Sequence, residues 1–122
     1  MSDSTAKKVL IVEDDEFLRS LTVKRLEKEN YQIIIAADGE QALKMIDSDT
    51  PDLILLDLLL PGVDGFEVLE KMKKSIPVVV FSNLGQREDI EKAKKLGADD
   101  FLIKANFTLD DVVAKVGQYL SK

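Results

Sequence analysis

Glu13-Asp14-Asp15 directly follow the apolar run Val9–Val12, and Asp57 sits inside a longer apolar stretch, after Leu53-Ile54-Leu55-Leu56 and before Leu58-Leu59-Leu60. Two like charges about 4 Å apart cost about 4 kcal/mol at an effective dielectric of roughly 20, so converging acids need a cation or a proton between them. Hard carboxylate oxygens suit Mg²⁺, which takes one or two carboxylates and keeps room for water and phosphate oxygens. Asp57 stands out for a second reason. An unpaired carboxylate among leucines is costly, which calls for a cation or a lysine beside it. A carboxylate is also a competent nucleophile toward phosphorus, giving an acyl phosphate. Lys104 closes the run Phe101-Leu102-Ile103, where an ammonium can meet a carboxylate or a phosphoryl group as a point charge. Ser82 closes Val78–Phe81 with a hydroxyl. Singly these last two are ordinary loop residues; their weight comes from joint placement. Asp15 is better read as a helix cap.

These groups need elements that carry them to one edge. The apolar runs Val9–Val12, Gln32–Ala36, Leu53–Leu56, Val78–Phe81 and Phe101–Ile103 are short and rich in β-branched residues or leucine, the pattern of parallel strands covered on both faces. Helical stripes lie between them: Leu18, Leu21 and Leu26; Ala42, Leu43 and Ile46; Phe66, Leu69 and Met72; Ile90 and Ala93; and, most regular, Leu109, Val112, Val113, Val116 and Leu120. Asp38 with Gln41 and Asp64 with Glu67 predict capping boxes, Thr108 an N-cap, and Gly97 a helix end. Pro51 and Pro77 stand where strands begin, where a missing N–H is tolerated. Repeated βα units predict an α/β fold, a five-stranded doubly wound parallel sheet with helices on both faces. Ligands of such sheets bind beyond the carboxyl ends of the strands, and the first and third strands are expected to be neighbours. Glu13, Asp14 and Asp57 should then converge.

Composition removes other chemistry. The 122 residues contain no cysteine and no histidine, which excludes disulfides, thiol catalysis, Ser-His-Asp triads and histidine metal ligands. Seventeen basic against 23 acidic side chains give a net charge of −6 with no basic patch, so direct nucleic-acid binding is not expected. No apolar run approaches the roughly 20 residues of a membrane span. Met1–Lys8 has no apolar stretch behind it, so no signal peptide is expected, and the expected location is cytoplasmic. Length and the lack of linkers or repeats predict one domain over 1–122, with its core at about 7–120.

Together, Val9-Leu10-Ile11-Val12-Glu13-Asp14-Asp15, Leu55-Leu56-Asp57 running on to Pro61-Gly62-Val63-Asp64-Gly65, Val78-Val79-Val80-Phe81-Ser82 and Gly97-Ala98-Asp99-Asp100-Phe101-Leu102-Ile103-Lys104 resemble the receiver domain of bacterial two-component response regulators. The match spans nearly the whole chain in order and spacing. The resemblance implies the flavodoxin-like strand order 2-1-3-4-5. It implies that Asp57 is the phosphoacceptor for a sensor histidine kinase or phosphotransfer protein, and that a downstream protein is the target. It implies Mg²⁺ held by Glu13, Asp14, Asp57 and the backbone carbonyl of Leu59. Lys104 would contact the phosphoryl group, Ser82 would be the switch hydroxyl, and Phe101 the aromatic that moves with it. The face of the fourth helix, fifth strand and fifth helix would change on phosphorylation and is the implied homodimer surface. Such a domain is no enzyme in the ordinary sense, catalysing only its own phosphorylation and dephosphorylation.

Two departures from the family pattern stand out. Lys104 is followed by Ala105-Asn106 where members commonly have proline, often cis. A cis bond before a non-proline costs roughly 2.5–4 kcal/mol, so a trans or rearranged loop is expected. Leu59 and Leu84 replace polar side chains of fast-cycling members, which leads us to expect slow autodephosphorylation. Other chemistries fit these residues less well. A Mg²⁺ phosphohydrolase would need a second Asp where Leu59 stands, and a flavin or nucleotide site would need glycines where Glu13-Asp14-Asp15 stand. The serious alternative is a phosphorylation-independent pseudo-receiver that acts as an interaction module. The end Gln118–Lys122, with no linker, favours a stand-alone domain over a fragment.

Overall fold

Strands of four or five apolar residues bury both faces only in a sheet covered on each side by helices. The computed structural model, which describes residues 6–120, shows that arrangement. Met1–Thr5, part of the segment read above for a signal peptide, and Ser121-Lys122 lie outside the described residues. The elements are β1 (Lys8–Val12), α1 (Glu16–Glu27), β2 (Gln32–Ala36), α2 (Gly39–Asp49), β3 (Leu53–Leu56), α3 (Gly65–Lys71), β4 (Val78–Ser82), α4 (Arg87–Lys95), β5 (Asp100–Ile103) and α5 (Leu109–Leu120). The strands form one five-stranded sheet in the order β2-β1-β3-β4-β5, every pairing parallel. β4 runs one residue further than the apolar run, through Ser82, and β5 begins one earlier at Asp100.

Side chains alternate between the faces. Leu10, Val12, Ile54, Leu56, Val78 and Val80 pack with residues of α2, α3 and α4 in one core. Val9, Ile11, Leu53, Leu55, Val79 and Phe81 pack with Leu26, Val112, Val116 and Leu120 of α1 and α5 in the other. The stripe of α5 is thus core as expected. That of α1 is not wholly so: Leu21 is exposed and Thr22 is buried instead. Burial of Thr22 is possible because its hydroxyl donates to the Leu18 carbonyl at 2.8 Å, which removes the cost of an unpaired polar group.

The caps hold, with differences of detail. Asp15, Asp38 and Asp64 each accept the N–H three residues on, from Leu18, Gln41 and Glu67. Gln41 returns the bond to the N–H of Ala37, whereas Glu67 turns away to Lys71. The reciprocal box forms at Thr108, whose hydroxyl accepts from Asp111 N–H while the Asp111 carboxylate accepts from Thr108 N–H. Gly97 ends its helix at φ +116, a conformation that glycine adopts without steric penalty.

Candidate functional site

The chain passes from β1 outward to β2, then back across to β3, so the strand order reverses between β1 and β3. Glu13 follows β1 and Asp57 follows β3, on either side of that switch point. The ladder extends just far enough to fix both. Glu13 N–H donates to the Ala36 carbonyl at 3.1 Å, and Asp57 N–H to the Val12 carbonyl at 3.0 Å. Both acids are buried, at 5% and 4% exposure, whereas Asp14 faces solvent. One carboxylate oxygen from each of Glu13, Asp14 and Asp57 lies within 4.8 Å of the others. The expected convergence is present.

Lys104 completes the cluster. Its Nζ donates to Glu13 Oε1 at 2.7 Å and to Asp57 Oδ2 at 2.9 Å, with the side chain 13% exposed. The remaining oxygens are also engaged: Asp15 N–H donates to Glu13 Oε2 at 3.1 Å and Leu59 N–H to Asp57 Oδ1 at 3.1 Å. Asp15 caps α1 and stays out of the acid cluster, as expected. Burial pushes the Glu13 carboxyl above its usual range, opposed in part by the Lys104 and Asp15 hydrogen bonds. Burial alone would lower the Lys104 ammonium, but hydrogen bonds and charge from Glu13 and Asp57 outweigh it and raise the group overall. Burial thus favours the protonated form of Glu13, while its two acidic partners keep Lys104 charged.

The Ala105-Asn106 departure does not displace the lysine. No cis peptide occurs among the described residues, and Lys104–Asn106 form a single 3₁₀ turn after β5. Ser82 ends β4 fully buried, its Oγ accepting a long 3.4 Å contact from Leu84 N–H. Phe101 pairs with Val80 in the ladder and is half-buried against the α2–α4 core. Leu59 is 50% exposed.

The packing roles of three residues escaped the sequence reading, although Gly65 stands in the run quoted there. Gly65 and Gly39 open α3 and α2, and each is met by backbone. A Cβ on Gly65 would stand 2.6 Å from the Asp57 carbonyl oxygen and 2.6 Å from Leu58 Cα, and one on Gly39 would stand 2.1 Å from the Val63 carbonyl oxygen. The loop from Asp57 to Asp64 is thereby seated on two glycines. Arg19 reaches back from α1, its Nη1 donating to the Glu13 carbonyl at 2.8 Å. A lone arginine after an acidic run gives little sequence signal.

Fold and site define an open α/β protein with a buried acid–lysine cluster at its switch point. Residues 9–117 match the family model described as the response regulator receiver domain. The chain is 38% identical over 117 residues to sporulation initiation phosphotransferase F of Bacillus subtilis, covering 93% of this chain and 94% of that protein. It is 38% identical over 119 residues to the alkaline phosphatase synthesis transcriptional regulatory protein PhoP of the same organism, covering 95% of this chain but only 49% of that protein. Among solved structures, a two-component response regulator from Clostridium difficile superposes with a TM-score of 0.89 at 30% identity, covering 95% of this chain and 97% of that one. The chain belongs to the response regulator receiver domain family and is a receiver of two-component signal transduction. The comparisons lend no support to a phosphorylation-independent module.

Proposed function

We propose that Asp57 accepts a phosphoryl group from a sensor histidine kinase or phosphotransfer protein, and that the modified domain then regulates a downstream protein by contact. The observation that carries this reading is Lys104 Nζ lodged between the Asp57 and Glu13 carboxylates. An Asp57 oxygen forms the new bond to phosphorus, and the bond from phosphorus to the donor's imidazole nitrogen breaks. Lys104, already within hydrogen-bonding distance of Asp57, donates to the transferred group as charge arrives. The Leu59 N–H holds the carboxylate's other oxygen and so fixes which lone pairs face the donor. Transfer of this kind gains mostly from positioning and charge neutralisation.

The donor set fits a hard divalent ion: three carboxylate oxygens close together, one of them solvent-facing and two buried. Glu13, Asp14, Asp57 and the Leu59 carbonyl would hold Mg²⁺, which would neutralise charge on the phosphoryl oxygens. Phosphorylation adds about −1.5 to −2 charges at pH 7. Ser82, as the switch hydroxyl, would turn toward the new acceptors, and Phe101 would follow it inward. The face of α4, β5 and α5 would carry the change to a partner or a second copy. Direct contact with nucleic acid is not part of the reading, a cytoplasmic location is, and the only reactions catalysed are gain and loss of the chain's own phosphoryl group. No helix among the described residues is long and apolar enough to cross a membrane.

Intact mass after incubation with acetyl phosphate tests the assignment. Gain of one phosphoryl group that requires both Mg²⁺ and Asp57, and is lost in Asp57→Ala, is the expected result; no gain, or gain in Asp57→Ala, would overturn it. Leu59 and Leu84 cannot orient an attacking water, so the phosphorylated form should decay slowly. Leu59→Asn or Leu84→Glu should hasten the decay, and unchanged lifetimes would count against this part.

A further inference from the structure

Asp14 is the exposed member of the acid cluster, and among the described residues its carboxylate has no hydrogen-bond or ion-pair partner. Its two neighbours are anchored through their side chains, Glu13 by Lys104 and by Asp15 N–H, Asp15 by the cap of α1. No side-chain contact anchors the Asp14 carboxylate, so the placement of its backbone decides where that carboxylate can reach. That backbone has left the sheet: β1 ends at Val12, and the last ladder bond on this side is made by Glu13 N–H. The carbonyls of Glu13 and Asp14 have no strand to accept from. Arg19 reaches both. Its Nη1 donates to the Glu13 carbonyl at 2.8 Å and lies 3.5 Å from that of Asp14, while its own N–H donates to the Asp15 carbonyl at 2.9 Å. Among the described residues this guanidinium makes no ion pair with a carboxylate, although the four acids Glu13–Glu16 closely precede it in the chain.

We infer that Arg19 is a positioning residue for the acid cluster: it clamps the two carbonyls after β1 and so presets the unanchored Asp14 carboxylate for a divalent cation. The inference rests on the Mg²⁺ reading above. It also has a sign that separates it from plain electrostatics. A positive charge close to an acidic site weakens cation binding, so an arginine acting only through its charge would, when removed, tighten the site. Loss of a group that orients a metal ligand instead weakens metal affinity, typically by about 10–100-fold.

The test is a Mg²⁺ titration followed by backbone amide shifts in the intact chain, for the wild type, Arg19→Met, Arg19→Lys and Asp14→Asn. Saturable shifts around residues 13–15, abolished in Asp14→Asn, are expected for the wild type. Arg19→Met should bind about tenfold more weakly, and Arg19→Lys, which keeps the charge and one donating group, should fall between. Equal or tighter binding in Arg19→Met would overturn the inference while leaving the metal reading intact. Absence of saturable binding in the wild type would overturn both. Should Arg19→Met fail to fold, Arg19→Lys decides alone, since an affinity equal to the wild type would refute positioning. Shifts far from the β1–α1 turn should match the wild type throughout, which a general loss of structure would not permit.

Discussion

At the carboxyl ends of the strands Lys104 sits between two buried carboxylates, and at the amino ends Lys74 sits between a carbonyl and a hydroxyl in solvent. Lys74 Nζ donates to the Asp47 carbonyl at 2.8 Å and to Thr50 Oγ1 at 2.6 Å, and Lys8 Nζ joins it by donating to the Asp49 carbonyl at 3.2 Å. α2 has no basic residue in its own last turn, so lysines from β1 and from the α3–β4 loop complement its carbonyl end. The two ends use the same ammonium for different purposes. Carbonyls that water can reach carry partial charges and need little from a lysine. Ionised acids withdrawn from water need a full counter-charge, and two of them against one lysine leave a surplus. That surplus of negative charge attracts a divalent cation.

The contrast breaks most visibly if the buried lysine is removed. Lys104→Met should lose about 3–5 kcal/mol in urea unfolding without divalent cation, the cost of stranding a buried charge. Part of that loss should return on adding Mg²⁺; a loss below about 1 kcal/mol would place the cluster on a par with surface pairs. Gly65→Ala comes next. A methyl pressed on the Asp57–Leu58 backbone should cost about 2 kcal/mol and slow acetyl phosphate labelling, because relief of the clash moves the acceptor itself. Lys74→Met should cost no more than about 1 kcal/mol and leave labelling unchanged.

A further effect is absent at neutral pH and confined to alkali. Tyr119 OH donates to Asp100 Oδ2 at 2.6 Å where β5 begins, and burial together with that carboxylate pushes the phenol up to about 12. A phenol with a raised folded pKa keeps its proton longer in the native state. Its stabilisation is complete below about pH 10 and is lost as the pH climbs toward about 12. Absorbance titration of the phenols should show the late transition, and Tyr119→Phe should remove it and flatten the fall in stability over that window.

Much of this was legible before any coordinates. The strand runs were, because parallel strands buried on both faces have no polar alternation to obscure them. The caps were, because a side chain bonding three residues on is local. So was the acid cluster, since acids ending apolar runs have only one edge to occupy. What escaped depends on distant backbone. Arg19 works on carbonyls freed by the end of a ladder, and Gly39 and Gly65 are required by a loop that folds over them. Leu21 and Thr22 exchanged places for a related reason: helical periodicity gives the face but not its width, and an internal hydroxyl bond let a threonine inside. The trans loop after Lys104 was expected, but not the 3₁₀ turn by which it keeps the lysine in place.

The partition of the core into two faces bears on the order in which the molecule is made. Residues of α2, α3 and α4 meet their strands from nearby in the chain, so one face can assemble as synthesis proceeds. The other face pairs α1 with α5, joined across the surface by the Arg25–Asp110 ion pair, and Glu13 waits for a lysine 91 residues downstream. Contacts that distant must overcome a large loop-closure entropy before they stabilise anything. A nascent chain on the ribosome therefore carries the acids without their counter-ion until Lys104 has emerged, and the side of α1 that meets α5 uncovered until the last helix follows. This is the interval in which the protein is most open to aggregation and to chaperones.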